Sequence, residues 1–318
     1  DRLKGYTCFL VLFGHVIMGI RNAGINIPAF FESVEIFIWS FHVSLFLFLS
    51  GVVYNITGGW KSKGTRRSFI KHKLINLGVP YVIFSVIYVV INSVSGGANT
   101  DFSLYDILNI WKTPVAQYWF LYALFFLFVM WAISPFDSLK TTIVVVLICY
   151  GVPALGGNFG FFDFVMYSAL AFGLGTFVSI KPLENAPRAL KIFIIAAHVV
   201  SVILLIKFGI VEKPFIKELT MCFGIASSVI LISEAEKIVI IRRFLDFMNK
   251  YSFETYLLHT IFTAGVRIVL MRFGVMNWII HIVFGTLAGL FFPVIASIIS
   301  KRVKILNACF FPSVLRKK

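Results

Sequence analysis

The sequence is poor in charge. Only 14% of its 318 residues are Asp, Glu, Lys or Arg while 59% are hydrophobic, and since a soluble domain carries about a quarter charged residues, a water-soluble globular fold is excluded. Acid is scarcer still, with 14 Asp and Glu against 29 Lys and Arg and a net charge of +15. In a soluble chain that imbalance would suggest nucleic acid. In a chain this apolar, the bias of basic residues to one side of a membrane explains it with fewer assumptions, so no nucleic-acid partner is expected. Cysteine is sparse: Cys8, Cys149, Cys222 and Cys309 lack the spacing of a zinc site or a disulfide framework, and no metal is expected. Low-complexity linkers, soluble insertions and internal repeats are also missing, which leaves one domain over residues 1–318.

What the chain has instead is apolar sequence at membrane length. Runs near the roughly 20 residues a helix needs to cross a bilayer fall at about 3–21, 36–55, 72–93, 116–134, 140–154, 162–180, 189–207, 214–233, 252–271 and 277–300. The expected fold is an all-α integral membrane protein of about ten transmembrane helices. With the N-terminus inside, 22 of the 29 lysines and arginines gather in the cytoplasmic segments, which fits an even helix count and both termini in the cytoplasm. The first run is too long and too poorly bounded for a cleavable signal peptide. The chain opens at Asp1 rather than Met, so a cytoplasmic leader is expected to precede it.

Polar groups inside such runs need a partner, a cavity or a function. His15 follows Gly14 in CFLVLFGHVIM, and Lys4 stands eleven residues earlier. Eleven residues make three turns plus roughly 20°, so both side chains share one helix face about 16 Å apart along the axis. Two readings stand: a working pair, or a snorkelling cation and a histidine bonded within the bundle. His42 opens FHVSLFLFLSG, whose Ser50-Gly51 suits close helix packing or a turn against a ligand. KGTRRSFIKHKLINLGVPY carries a dense basic patch, in which Lys71 and Lys73 are better placed than Lys61 or Lys63 to hold an anionic ligand, lipid headgroups and topology being the competing account. Trp119, in QYWFL, stands where an aromatic belt is expected and where a sugar would stack. Glu254 and His259 are five apart and do not share a face cleanly; Glu254 is expected to pair with a basic loop residue. His198 and His281 read as structural.

Taken together, these residues resemble the membrane-bound acyltransferase-3 family, most closely its fucose 4-O-acetylase-like branch. The likeness runs from Asp1-x-Leu3-Lys4-Gly5 to His15, matching the family's basic residue, ten positions, then His. It continues through FHVSLFLFLSG (family form close to FHMPLFFFLSG), Val79-Pro80-Tyr81, Trp119-Phe120-Leu121 and Tyr251-Ser252 with Tyr256-Leu257-Leu258-His259, in the family's order. Two positions depart: Asn76 stands where a second basic residue often follows, with Lys71 or Arg67 as substitutes, and Val43-Ser44 replaces the family's proline. No appended hydrolase-like domain is expected, so a second transfer step would need a separate partner.

The resemblance implies a multi-pass enzyme of the plasma membrane (a bacterial inner membrane or cell membrane). Its activity would be O-acetyltransfer from cytosolic acetyl-CoA to a hydroxyl of a surface or lipid-linked carbohydrate, with membrane lipids as its surroundings. Lys4, Arg67, Lys71 and Lys73 would hold the coenzyme's phosphates; His15 would act as general base or as acyl carrier. His42 would orient the reactants or stabilise an oxyanion, and Trp119, Glu254 and His259 would line the substrate. The rival from another class is a transporter or flippase for a lipid-linked sugar, with buried histidines relaying protons.

Overall fold

The computed structural model describes residues 1–95, 102–154, 156, 160–208 and 214–316; parts of the connections at 95–113, 153–161 and 208–213, together with Lys317 and Lys318, lie outside the described residues. The described residues form α-helices and no strand. In chain order the first helices are α1 (Arg2–Asn22), α2 (Phe30–Trp39), α3 (His42–Ile56), α4 (Arg66–Lys73) and α5 (Val79–Ser95). Next come α6 (Trp119–Ile133), α7 (Ser138–Ala154), α8 (Asp163–Phe177), α9 (Lys181–Glu184) and α10 (Arg188–Phe208). The last are α11 (Pro214–Ala235), α12 (Val239–Lys250), α13 (Ser252–Arg272), α14 (Trp278–Ser300) and α15 (Lys304–Phe310).

All ten apolar runs fold as helix, but they are not ten equal spans. Among the described residues, seven helical stretches are long and apolar enough to cross a membrane: Arg2–Asn22, Phe30–Ile56, Arg66–Val94, Ala116–Ile133, Arg188–Phe208, Ile216–Ala235 and Trp278–Ser300. The helices α7 and α8 are shorter, at 17 and 15 residues. α13 has the length, at 21 residues, but carries Glu254, Arg267 and Arg272, and its Glu254, Thr255, His259, Thr263 and Arg267 are buried in the protein. α14 is the opposite case: Ile279, Val283, Leu287, Phe291 and Ile295 recur every four residues and are all exposed. Such a stripe is an aggregation liability in water and a normal lipid contact in a bilayer. The chain is a multi-pass membrane protein.

The chain divides into two compact units, Asp1–Phe46 with Ser179–Ser297, and Leu47–Val178 with Ile298–Lys318. In the first unit α1 packs against α2, α11, α12 and α13. Its Cys8, Leu12, Val16 and Ile20, one turn apart, build a core with Ile25, Met248 and Leu290. Gly5 lets α12 approach closely: a Cβ there would collide with the Leu245 carbonyl oxygen and lie 2.9 Å from the Asn249 nitrogen. At the other end of α1, Gly24 takes a φ of +74°, Gly24 N–H donates to the Arg21 carbonyl and Ile25 N–H to that of Ile20. This is the Schellman closure, which glycine adopts without strain, and it turns the chain back sharply. α12 is amphipathic, with Leu245 and Met248 buried and Arg242 and Arg243 exposed.

In the second unit α8 packs against α6 and α7, and α4 against α6. Ser50-Gly51 proves to be a packing device: a Cβ on Gly51 of α3 would strike the Phe172 carbonyl oxygen of α8, and one on Gly175 of α8 the Phe48 carbonyl oxygen of α3. The two glycines thus let the helices meet backbone to backbone. A smaller core joins Val89, Ile110 and Val115.

Candidate functional site

The first unit gathers three imidazoles. α1 presents His15 beside Gly14, where a Cβ would lie 3.2 Å from Ile38 Cγ2 and 3.9 Å from Trp39 Cζ2, so the small residue admits α2. The Trp39 ring stands edge-on to His15 (centroids 5.2 Å apart, 80°) and, across the break between α2 and α3, to His42 (4.6 Å, 62°). On the other side of His15 lies His259 of α13, with ring centroids 5.1 Å apart. His15, His42, His259 and Trp39 therefore form one aromatic cluster. His15 forms no hydrogen bond among the described residues, whereas the other two imidazoles are oriented by the backbone.

Those backbone bonds decide which nitrogen is available. His42 Nδ1 lies 2.8 Å from the Ile38 carbonyl oxygen, to which it donates, capping the broken end of α2. His259 Nδ1 donates to the carbonyls of Thr255 (2.8 Å) and Tyr256 (3.0 Å). In a neutral ring the proton on Nδ1 leaves Nε2 as an acceptor, and His259 Nε2 is buried without a hydrogen-bond partner among the described residues.

Behind Trp39 stands a carboxylate. Trp39 Nε1 donates to Glu35 Oε1 at 3.0 Å, and Arg21 Nη2 donates to the same oxygen at 2.9 Å. The Glu35 side chain is 7% exposed and that of Arg21 45%, so a nearly buried acid is neutralised by a cation that reaches solvent. Glu35 Oε2 has no partner among the described residues. Glu32 adds a weaker contact to Arg21 at 3.8 Å. Neither Trp39 nor Glu35 is among the residues the sequence singled out. The signal was their i, i+4 spacing, hidden because the apolar run starts at 36 and leaves Glu35 outside it.

Lys4 is exposed and interacts electrostatically with Glu254. Glu254 itself is buried and accepts a hydrogen bond from Ser297 Oγ of α14 at 2.7 Å. The expected ion pair with a basic loop residue is not formed among the described residues: a hydroxyl on a packed helix satisfies the carboxylate where a flexible cation would have to be desolvated. His198 and His281, read from the sequence as structural, each have a hydrogen-bond partner outside the cluster. His198 Nδ1 is 2.8 Å from Ser227 Oγ between the Phe37 and Phe41 rings, and His281 Nε2 is 2.8 Å from the Val275 carbonyl oxygen.

Compared with known proteins, residues 1–298 match the family described as an acyltransferase domain. The chain belongs to the acyltransferase-3 family. No curated protein and no solved structure matches it.

The remaining expected residues of this acyltransferase, Arg67, Lys71, Lys73 and Trp119, lie in the second unit. Thr65 caps α4, its hydroxyl accepting from Ser68 N–H at 3.1 Å, and Arg67 and Lys71 project exposed from that helix with no ion pair among the described residues. Lys73 differs: its Nζ lies 3.6 Å from the centre of the Phe128 ring and 5.3 Å from that of Phe69, a cation–π seat. Directly after it, Leu74–Gly78 forms a π-helical turn, a departure that marks functional positions in many helices. Trp119 starts α6, three residues after Ala116, which holds a φ of +44°. A left-handed alanine is strained.

Proposed function

We propose that this acyltransferase moves an acetyl group from cytosolic acetyl-CoA to a hydroxyl of a surface or lipid-linked carbohydrate, through ten membrane-embedded segments with both ends in the cytoplasm of a cell bounded by that plasma membrane. The single observation that carries this reading is the His15 cluster: an imidazole without hydrogen bonds among the described residues, flanked by two others whose Nδ1 protons are committed to backbone.

His259 Nε2 is the acceptor available to hold a ring N–H of His15. That would leave the other nitrogen of His15 as the base that takes the proton of the acceptor hydroxyl. The hydroxyl oxygen then attacks the acyl carbon, the carbon–sulfur bond breaks, and the departing thiolate receives the proton back. His42, fixed by Ile38, orients the reactants by accepting at Nε2. The alternative, in which His15 carries the acyl group, uses the same nitrogen as nucleophile. Exposed Arg67 and Lys71 have the chemistry for the coenzyme's phosphates, and Lys4 marks the cytoplasmic end of the His15 face; Lys73, seated on Phe128, would contribute its charge from that position. Trp119 would offer a stacking face to a sugar.

The test is acetyl-CoA turnover in nanodiscs with a mixed glycan acceptor pool, comparing wild type with His15→Ala. The expected result is acceptor-dependent release of free coenzyme A that disappears in His15→Ala while coenzyme binding persists. A folded, monodisperse wild type that neither binds nor consumes acyl-CoA overturns the reading in favour of transport of a glycan intermediate.

A further inference from the structure

The sharp turn after α1 leaves a cleft of about 260 Å³ between the last turn of α1 and the first turn of α2, walled by Ile17, Arg21, Asn26, Phe31 and Glu32 among others. That volume is just under the range of small-molecule pockets, about 300–1,000 Å³, and suits one ring-sized group rather than a coenzyme. Its lining carries one guanidinium, Arg21, and one carboxylate, Glu32, 3.8 Å apart, and Arg21 also pairs with Glu35 behind the wall at 2.9 Å, so an anion would meet a guanidinium already held by carboxylates. What the walls offer is hydrogen bonding from Arg21, Asn26 and Glu32 set among apolar surface from Ile17 and Phe31. A neutral ligand with hydroxyls on its rim and C–H groups on its faces matches that pattern.

The position of the cleft matters as much as its chemistry. Arg21 lies seventeen residues beyond Lys4 on α1, about 26 Å along the axis, whereas Ile17 is only about 3 Å beyond His15. The cleft therefore opens at the end of α1 away from Lys4 and reaches back to the level of the imidazoles. A hydrogen-bonded link runs the same way, since Arg21 and Trp39 donate to one oxygen of Glu35 and Trp39 touches His15.

We propose that this cleft is the acceptor subsite, binding a single neutral sugar ring with Asn26, Glu32 and Arg21 on its hydroxyls and Phe31 against its face, and that Glu35 is the positioning carboxylate joining it to the His15 cluster. The proposal rests on the acyl-transfer reading for its role but not for its binding.

The experiment separates the two. Ala29→Cys, with Ile27→Cys as a second reporter should the first fail to fold, both on the cleft wall, is labelled in nanodiscs with a maleimide. Modification at the new position is read by peptide mass spectrometry, apart from the native cysteines. The probes are methyl glycosides of fucose, rhamnose, galactose and N-acetylglucosamine. The expected result is that one of them slows labelling about tenfold near ten times its Kd, by simple occupancy, and that Glu32→Ala raises the KM of that glycoside about tenfold, the loss of one good hydrogen bond, without moving the KM of acetyl-CoA. Turnover of a glycoside with neither protection nor a changed KM overturns the cleft and leaves acyl transfer standing. Protection without turnover supports the cleft and overturns acyl transfer to that sugar. Neither protection nor turnover with any probe overturns the cleft as a sugar site.

Discussion

Replacing Trp39 by Phe tests whether the histidine cluster is positioned from behind. The substitution keeps an aromatic ring where Trp39 stands edge-on to His15 at 5.2 Å and to His42 at 4.6 Å, but removes the indole N–H that donates to Glu35 at 3.0 Å. A hydrogen bond to a charged group contributes about 1.5–3 kcal/mol. If that whole amount goes into holding the imidazoles, then at about 1.36 kcal/mol per tenfold kcat falls between about tenfold and about a hundredfold. Glu35→Gln retains an oxygen for the indole and should cost less, while the double variant should cost less than the two single effects combined, because both act on one contact. The assay is acceptor-dependent coenzyme A release at saturating donor, with thermal unfolding measured alongside. A Trp39→Phe protein whose melting temperature falls while kcat holds refutes the reasoning: Trp39 would then be packing only.

Three other outcomes follow from the packing and charge already described. Gly51→Val, which drives a side chain into the Phe172 carbonyl, should destabilise by about 1–3 kcal/mol or more, whereas Gly151→Ala, with nothing within 4 Å of its Cβ, should leave thermal stability in detergent unchanged or raised; equal effects would show that α3 and α8 do not depend on the glycine contact. Ser297→Ala removes the hydrogen bond that buried Glu254 accepts and should cost about 1–3 kcal/mol of unfolding free energy, checked by denaturation in micelles, while Ser297→Thr restores it. Arg67→Gln with Lys71→Gln should raise the KM for acetyl-CoA more than it lowers kcat and flatten the salt dependence of donor binding; an unchanged KM would remove these cations from the donor site.

The helical content and its places in the chain were legible because apolar length is a strong signal: the runs at 3–21 and 277–300 coincide with α1 and α14 to within a few residues. The His15 pairing was half legible. Spacing put Lys4 and His15 on one face, but nothing in sequence distance brings His259, 244 positions away, to a centroid separation of 5.1 Å; only the packing of α13 on α1 does that. The break at Ser40 and Phe41 was invisible for a different reason. Hydropathy continues across it, and the residues that satisfy the broken backbone are ordinary in composition: Ser40 Oγ donates to Phe37 and His42 Nδ1 to Ile38. Glu254 was misread because the segment before it carries Lys237, Arg242, Arg243 and Lys250, while the residue that bonds it is Ser297 of a distant helix.

The breaks also explain why polar residues sit in these apolar runs at all. A helix interrupted at membrane depth leaves carbonyls that no water can reach, each costing several kcal/mol by about the scale of an unsatisfied buried amide. At Ile38, whose carbonyl the Phe41 N–H reaches only at 3.4 Å, His42 Nδ1 adds a bond at 2.8 Å, and beside the π-turn Asn76 Nδ2 donates to the His72 carbonyl at 2.8 Å. Such a residue has its first duty fixed by the backbone, and only what remains is free for chemistry. For His42 what remains is an acceptor nitrogen, which argues for orienting a hydroxyl or the His15 ring and against donating to an oxyanion unless the ring takes up a second proton. His15 has no such backbone duty. It is the one imidazole of the cluster with both nitrogens uncommitted among the described residues, and it is therefore the one from which a proton can be taken and returned without breaking a bond that holds the fold.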